Sequence, residues 1–347
     1  TGNEKCWPFR EQADPCPRGH NLQVEGDNGG PLLMKVLTDQ VLARNVRVEY
    51  NARALTLIAD EKREIHGLVV RIDGREQNIR AHKGVILCAG GFVMNEEMVK
   101  QYCPRLSAGS VPVGNPGDTG TGILMGQGAG GALINMNEGF ITLPYYPPSS
   151  LTYGIFVNAQ AQRFINEDSY HSRIAYHAIR QTGQGIFLIV SADDYEHPKF
   201  LNADIVGTGE TVEELAEEVG LDAAMLRHTI EFYSEHAARG EDPLFHKSAE
   251  WLKRLEPPYA ALDCTPGSGV IYAYFTLGGL DTRTTGEVLS TEGRVISGLY
   301  AAGRCACGIP RSAAGYASGL SVGDATFFGR MAGRAVATDS SRRNDAS

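Results

Sequence analysis

The chain has 347 residues, more than one hydrophobic core usually supports, so two domains are the starting expectation. Hydrophobic residues make up 42% and charged residues 21%, an ordinary globular balance; the net charge of −9, with basic residues scattered, argues against a nucleic-acid partner. No apolar run reaches the roughly 20 residues of a membrane helix and no signal peptide is seen, so no membrane span and a cytoplasmic location are expected.

The chain opens at Thr1, without Met, in a polar, Pro-containing stretch of the kind a cut end would leave. Residues 1–30 read as loop, and Leu32, Leu33, Val36, Leu37 and Val41 at helical spacing predict a helix over Pro31–Ala43. Strands are predicted at Val46–Tyr50, Ala54–Ala59 and Gly67–Ile72, with a turn at Asp73-Gly74. Gly84–Cys88 is apolar on both faces, as a buried parallel strand is, and Cys88 is read as buried. Short helices follow over 93–103 and Ile123–Gly128, and residues 139–150, rich in Pro, Tyr and Ser, suit a domain crossing. Thr211 and Glu214 stand at capping-box spacing before a helix, and Leu226–His236 is a second one. Tyr272–Gly279 and Gly298–Gly303 complete the strands, a helix runs from near Ser318 towards Arg334, and 338–347 is a polar tail.

The seven cysteines are odd in number and irregularly spaced, which argues against a disulfide framework. Cys305-x-Cys307 has no nearby His to complete a metal site, and His171 and His177 lie off one helical face, so no metal is expected. The string Gly126-x-Gly128-x-x-Gly131 has dinucleotide-binding spacing in the wrong place: a helix precedes it, so it reads as a helix end. Gly114–Gly122 and Ala301–Asp324 are Gly-rich loops running into helices, an arrangement whose backbone N–H groups suit an anionic or electron-rich ligand.

The order of six segments resembles flavoproteins related to fumarate reductase and the 3-oxosteroid dehydrogenases: Lys83–Phe92, Gly117–Ile123, Phe156–Asp168, Leu277–Leu280, Leu299–Arg304 and Gly315–Arg334. The resemblance implies an α/β fold: a FAD-binding domain with a mostly parallel sheet (1–140 and 276–338) interrupted by an α+β substrate-capping domain (141–275), then a tail (339–347). FAD is the implied cofactor, with contacts falling on Ala89, Gly90, Gly91, Gly117, Asp118, Thr119, Gly120, Gly303 and Ser321. Where the family usually carries an acidic residue after Ala-Ala-Gly, this chain has Arg304. The family's N-terminal βαβ unit, with its own G-x-G-x-x-G, has no counterpart here. Its loss would expose apolar surface on the strand Gly84–Cys88.

The substrate positions depart from the dicarboxylate reductases. Carboxylates call for Arg and His, because a guanidinium pairs with them bidentately. By the resemblance, those positions hold His171, Phe275 and Tyr316, and a dianion set against two aromatics would lose pairing. The site suits a flat apolar ketone such as a steroid. Tyr316-x-Ser318, with Tyr170, resembles the 3-oxosteroid 4-dehydrogenases, which oxidise a saturated 3-oxosteroid to the 4-ene. That likeness casts Tyr316 as donor to the ketone oxygen, Ser318 as acceptor of the α-proton and Tyr170 as its relay, the β-hydride passing to flavin N5. Unaided by it, Tyr170 reads as an exposed helix-start residue, Tyr316 as a buried ring and Ser318 as an N-cap. Two other expectations stay open: a fumarate reductase-like enzyme for another enone or dicarboxylate, and an inactive or split fragment with an incomplete FAD site. The electron acceptor is unknown.

Overall fold

The computed structural model describes residues 29–143, 148–183, 185–198, 203–317 and 319–339. Residues 1–28 of the loop read at 1–30, with Cys6 and Cys16, part of the crossing (144–147), Ser318 and the tail from 340 lie outside the described residues; Gly29 and Gly30, read as loop, open a helix.

After helix α1 (Gly29–Ala43), strands β1 (Ala52–Ala59), β2 (Ile65–Ile72) and β3 (Arg75–Arg80) form an antiparallel meander. The β2–β3 turn falls on Asp73 and Gly74, both at positive φ (48° and 81°), which is the conformation a tight two-residue hairpin requires. Strand β4 (Val85–Leu87) then pairs in parallel with β15 (Val295–Ala301), and β14 (Glu287–Leu289) lies antiparallel on the far side of β15. Helix α4 (Thr121–Gly128) contributes Met125 to the core beneath this sheet, beside Ile65, Val85, Leu87 and Leu299. The Gly126–Gly131 string is the end of that helix, with Gly130 left-handed at φ 94°.

Helices α2 (Glu96–Tyr102) and α3 (Pro104–Ser107) lead to β5 (Ser110–Pro112). Short strands β6 (Leu133–Ile134) and β13 (Gly279–Leu280) pair with each other. β12 (Tyr272–Thr276) runs between β5 and β7 (Gly139–Thr142). The two expected crossings near 140 and 275 thus lie side by side, Phe140 opposite Phe275.

The intervening segment builds a sheet in the order β10 (Ile205–Gly209), β11 (Tyr259–Asp263), β9 (Ile186–Ser191), β8 (Ile155–Asn158). Side chains alternate between its faces as the strand period demands. Phe156, Leu188, Val190, Ala260 and Leu262 enter a large core with Phe92, Ile123 and Tyr272, near α5 (His171–Ala178). Ile155, Val157, Ile189 and Ala261 point the other way, onto α6 (Val212–Val219) and α7 (Ala223–Ala237). Thr211 and Glu214 form the capping box read from the sequence. Helix α8 (Leu320–Thr338) closes the described chain.

Three expectations fail. Residues 46–50 form no strand; Val46, Val48 and Tyr50 are exposed, and a strand needs a ladder partner that the described residues do not supply. Cys88 is exposed, because β4 ends one residue before it. The faces of β4 are not bare: Val85 and Leu87 are buried, and Ile86 packs against a cluster with Tyr300 and Ala332. The exposed apolar surface lies instead on α1, which buries none of its residues and exposes Leu32, Met34, Val36, Leu37, Val41 and Leu42. Among the described residues, no helix is long and apolar enough to cross a membrane.

Candidate active site

Two structures meet around residues 301–324. The first is a cradle of glycine backbone. Gly90 (φ 80°) and Gly120 (φ 77°) hold conformations that disfavour a side chain. A Cβ on Gly90 would collide with Asp118 Oδ1, and one on Gly122 would sit 2.6 Å from Cys305 Sγ. Gly120 N–H donates to Gly91 O at 2.8 Å, so the loop after β4 and the loop before α4 are tied edge to edge. Cys305 Sγ accepts from Ala89 N at 3.0 Å and lies 3.3 Å from Gly90 O. Burial pushes its thiol up to about 12, which keeps the proton it donates. Thr276 Oγ1 accepts from Phe92 N at 3.2 Å. Asp118 Oδ2 accepts from Asn115 N at 2.9 Å, shaping the Gly117–Gly120 turn.

The expected cofactor contacts Ala89, Gly90, Gly91, Gly117, Asp118, Thr119 and Gly120 are therefore gathered in two adjoining loops. Gly303, at φ 64°, leads into the turn that carries Cys305. Gly303 and Asp324 line a cavity of about 200 Å³ with Phe328 and Arg311. Arg304 Nη2 lies 3.4 Å from the buried Asp324 Oδ2, so the charge at this departure from the family pattern is matched from α8. A flat, electron-rich cofactor fits such a cradle, where backbone approaches closely and side chains are excluded.

The second structure is an aromatic cluster of Phe140, Tyr170, Leu277 and Tyr316, with Phe275 and Leu320 packed against it. Phe140 and Phe275 stack at 4.7 Å as a cross-strand pair, and Tyr316 lies 4.5 Å from Phe140 and 5.6 Å from Phe275. Tyr316 Oη is 2.9 Å from Ser321 Oγ. The turn before Tyr316 is held from two sides: Ala313 N donates to Glu138 Oε2 at 3.0 Å, and the Arg173 guanidinium donates to Ala314 O. Tyr170 is buried at the N-cap of α5, not exposed at a helix start. His171 follows it, its ring 4.2 Å from that of Tyr170 and its Nδ1 hydrogen-bonded to Thr142 Oγ1. Burial lowers the His171 pKa to about 4, so the imidazole is neutral at pH 7.

Tyr170 and Tyr316, distant in sequence, are thus brought together, and Ser321, five residues after Tyr316, meets its hydroxyl; Ser318 lies outside the described residues. Sequence reasoning missed Phe140, Cys305, Thr276 and Asp324. Phe140 had a signal in its apolar strand neighbours; Cys305 and Thr276 act through remote backbone, and Asp324 through the Arg304 side chain 20 residues before it. Away from the site, Asp60, Glu64 and His66 on the β1–β2 hairpin bring donor atoms within 4.8 Å of one another, and His66 pairs with Asp60 at 3.0 Å.

The family described as FAD binding domain matches residues 16–319. The NADH:acrylate oxidoreductase of Vibrio harveyi is 31% identical over 323 residues, covering 86% of this chain and 31% of that protein. The fumarate reductase (cytochrome) of Shewanella frigidimarina is 28% identical, covering 90% of this chain and 55% of that one. The crystal structure of 3-ketosteroid-Δ4-(5α)-dehydrogenase from Rhodococcus jostii, in complex with 4-androstene-3,17-dione, superposes with a TM-score of 0.87 at 38% identity, covering 96% of this chain and 70% of that one. The chain therefore spans about a third to about a half of the length of those two sequence relatives.

Proposed function

The chain belongs to the FAD binding domain family, and from that premise we propose that it is part of a FAD-dependent 3-oxosteroid dehydrogenase that introduces the 4-ene. The observation that carries this reading is the aromatic cluster of buried Phe140 and Tyr316 with half-buried Phe275, the Tyr316 hydroxyl in contact with Ser321. Apolar walls and few polar groups suit a polycyclic ketone. The likeness to the Rhodococcus jostii enzyme supports the same substrate class.

The chemistry sets each residue's task. A proton α to a ketone is weakly acidic, so the carbonyl oxygen must be held as charge develops on it. Tyr316 Oη is the donor for that oxygen; with its single proton given to the ketone, it accepts from Ser321 Oγ–H in the 2.9 Å contact between them. Ser318 takes the α-proton and Tyr170 passes it on. FAD, when bound in the glycine cradle, supplies the acceptor for the β-hydride. The aromatic rings exclude water from the reacting face.

A dicarboxylate reductase is disfavoured by the same residues. Phe275 and Tyr316 bring no charge, and His171 is neutral at pH 7, so a dianion would lie among aromatic rings with its charge unpaired. Anaerobic mixing of the FAD-loaded protein with a saturated 3-oxosteroid tests the proposal. Bleaching of the flavin by the steroid, with none by succinate, is the expected result; bleaching by succinate alone would overturn it.

One observation favours a second reading, in which the chain works as part of an assembled flavoenzyme: α1 turns an apolar surface to solvent. Mixing with a polypeptide that carries a G-x-G-x-x-G βαβ unit should then raise FAD affinity. Unchanged affinity would count against this reading.

A further inference from the structure

Tyr170 stands at a helix N-cap, a position that Ser, Thr, Asp or Asn usually fills, and its side chain makes no capping bond. The turn that delivers it must be held by other means, and the means lie across the fold. Arg163 donates to Glu167 through Nε (3.2 Å) and Nη2 (2.9 Å), and to Asp242 through Nη1 and Nη2 at 3.0 Å each. Lys247 Nζ lies 3.2 Å from Glu167 Oε2 and donates to Gly154 O at 2.8 Å. All four of these side chains are at most 3% exposed. Closer to Tyr170, Asp168 Oδ2 accepts from Ser248 twice, from N at 3.0 Å and from Oγ at 2.5 Å. Asp168 Oδ1 accepts from Asn166, whose own carbonyl oxygen Oδ1 accepts from Ser169 Oγ.

We infer that the segment Asp242–Ser248 is a brace that aims Tyr170 into the substrate cage, with Ser248 a positioning residue acting through Asp168. This rests on the role proposed above for Tyr170. Three chain neighbours in succession are tied down, Glu167 by Arg163 and Lys247, Asp168 by Ser248 and Ser169 by Asn166, so Tyr170 emerges from a backbone with little freedom. A charge-assisted hydroxyl–carboxylate bond two residues away sets the direction of its Cα–Cβ bond. Small errors in aim are costly in proton transfer, where a misplacement of about 1 Å lowers rates by up to about a hundredfold.

The test compares the parent, Ser248→Ala, Ser248→Thr, Tyr170→Phe and the Ser248→Ala/Tyr170→Phe pair, all FAD-loaded, on a saturated 3-oxosteroid. The expected result is a kcat about tenfold lower in Ser248→Ala, with KM and FAD occupancy within about twofold of the parent. Ser248→Thr restores the rate, and Ser248→Ala costs nothing further when Tyr170 is already Phe. Equal losses in both backgrounds, or an unchanged kcat in Ser248→Ala, would overturn the brace. A parent-like rate in Tyr170→Phe would instead overturn the role of Tyr170, and the brace with it. Fluorine NMR of protein labelled with 3-fluorotyrosine gives a readout free of turnover. The resonance that Tyr170→Phe removes should shift or broaden in Ser248→Ala; an unchanged resonance would refute the inference even if the protein were inactive on steroids.

Discussion

The Tyr316 hydroxyl lies 2.9 Å from Ser321 Oγ, which joins the aromatic cage to the first turn of α8. A phenol in an apolar pocket needs a partner, and here the partner also fixes its orientation. Replacing Tyr316 by Phe keeps the ring and removes the donor. The rate of flavin reduction by a 3-oxosteroid, followed by stopped-flow absorbance, should fall by about a hundredfold or more, as when one oxyanion donor is lost. Ser321→Ala should cost less, because the hydroxyl stays but loses its direction. A Tyr316→Phe protein as fast as the parent would remove Tyr316 from the chemistry.

The cradle predicts the cost of adding a single carbon. A Cβ at Gly122 would stand 2.6 Å from Cys305 Sγ and 3.2 Å from Ala89 Cβ, so Gly122→Ala must push the loops apart. Overpacking of this kind costs roughly 1–3 kcal/mol, and FAD affinity, measured by absorbance titration, should weaken about tenfold or more. Gly128→Ala is the control, since nothing lies within 4 Å of a Cβ there. Equal FAD affinity in the two variants would mean that this contact does not shape the cofactor site.

Much of this fold was legible because its signals are local. The Thr211–Glu214 capping box, the Asp73-Gly74 turn and the apolar run at Val85–Leu87 each declare themselves within a few residues. Val46–Tyr50 misled because alternation records a preference for an extended backbone, whereas a strand exists only with a partner. Cys305 could not be read as part of the cradle, since its neighbours Ala89 and Gly90 are more than 200 residues away in sequence. The buried Arg163 cluster was half visible: Arg163 and Glu167 stand in one motif, but Asp242 and Lys247 come from a stretch without any pattern of its own.

That cluster sets a stability prediction. Arg163 answers two buried carboxylates and lies between the rings of Tyr233 (4.7 Å) and Phe245 (5.1 Å). Arg163→Met keeps most of the packing but takes from Asp242 its guanidinium partner, leaving it backbone donors alone, and leaves Glu167 to Lys247 and the Phe156 N–H. Removing one partner of a buried pair costs about 3–5 kcal/mol. Urea unfolding should show a loss of this order, and a change below about 1 kcal/mol would mean that the carboxylates find other partners or bind protons.

His171 makes stability depend on pH with a definite sign. Burial lowers its folded pKa to about 4, whereas an unfolded chain holds the ordinary value of 6.5. Between these values the unfolded state binds more protons than the native one, so stability rises with pH across the window. The contribution is complete above about pH 6.5 and is lost as the pH falls towards 4; the full shift corresponds to roughly 3 kcal/mol. Burial, aided by the charges of Arg180 and Arg173, lowers His177 in the same direction, so some slope must survive when His171 is replaced. His171→Gln can still bond Thr142 but cannot take up a proton. The parent should lose more thermal stability than His171→Gln between pH 7 and pH 4.5, the two curves converging at the acid end. Parallel curves would place the His171 ring in contact with water and remove the argument that this position is uncharged when substrate binds.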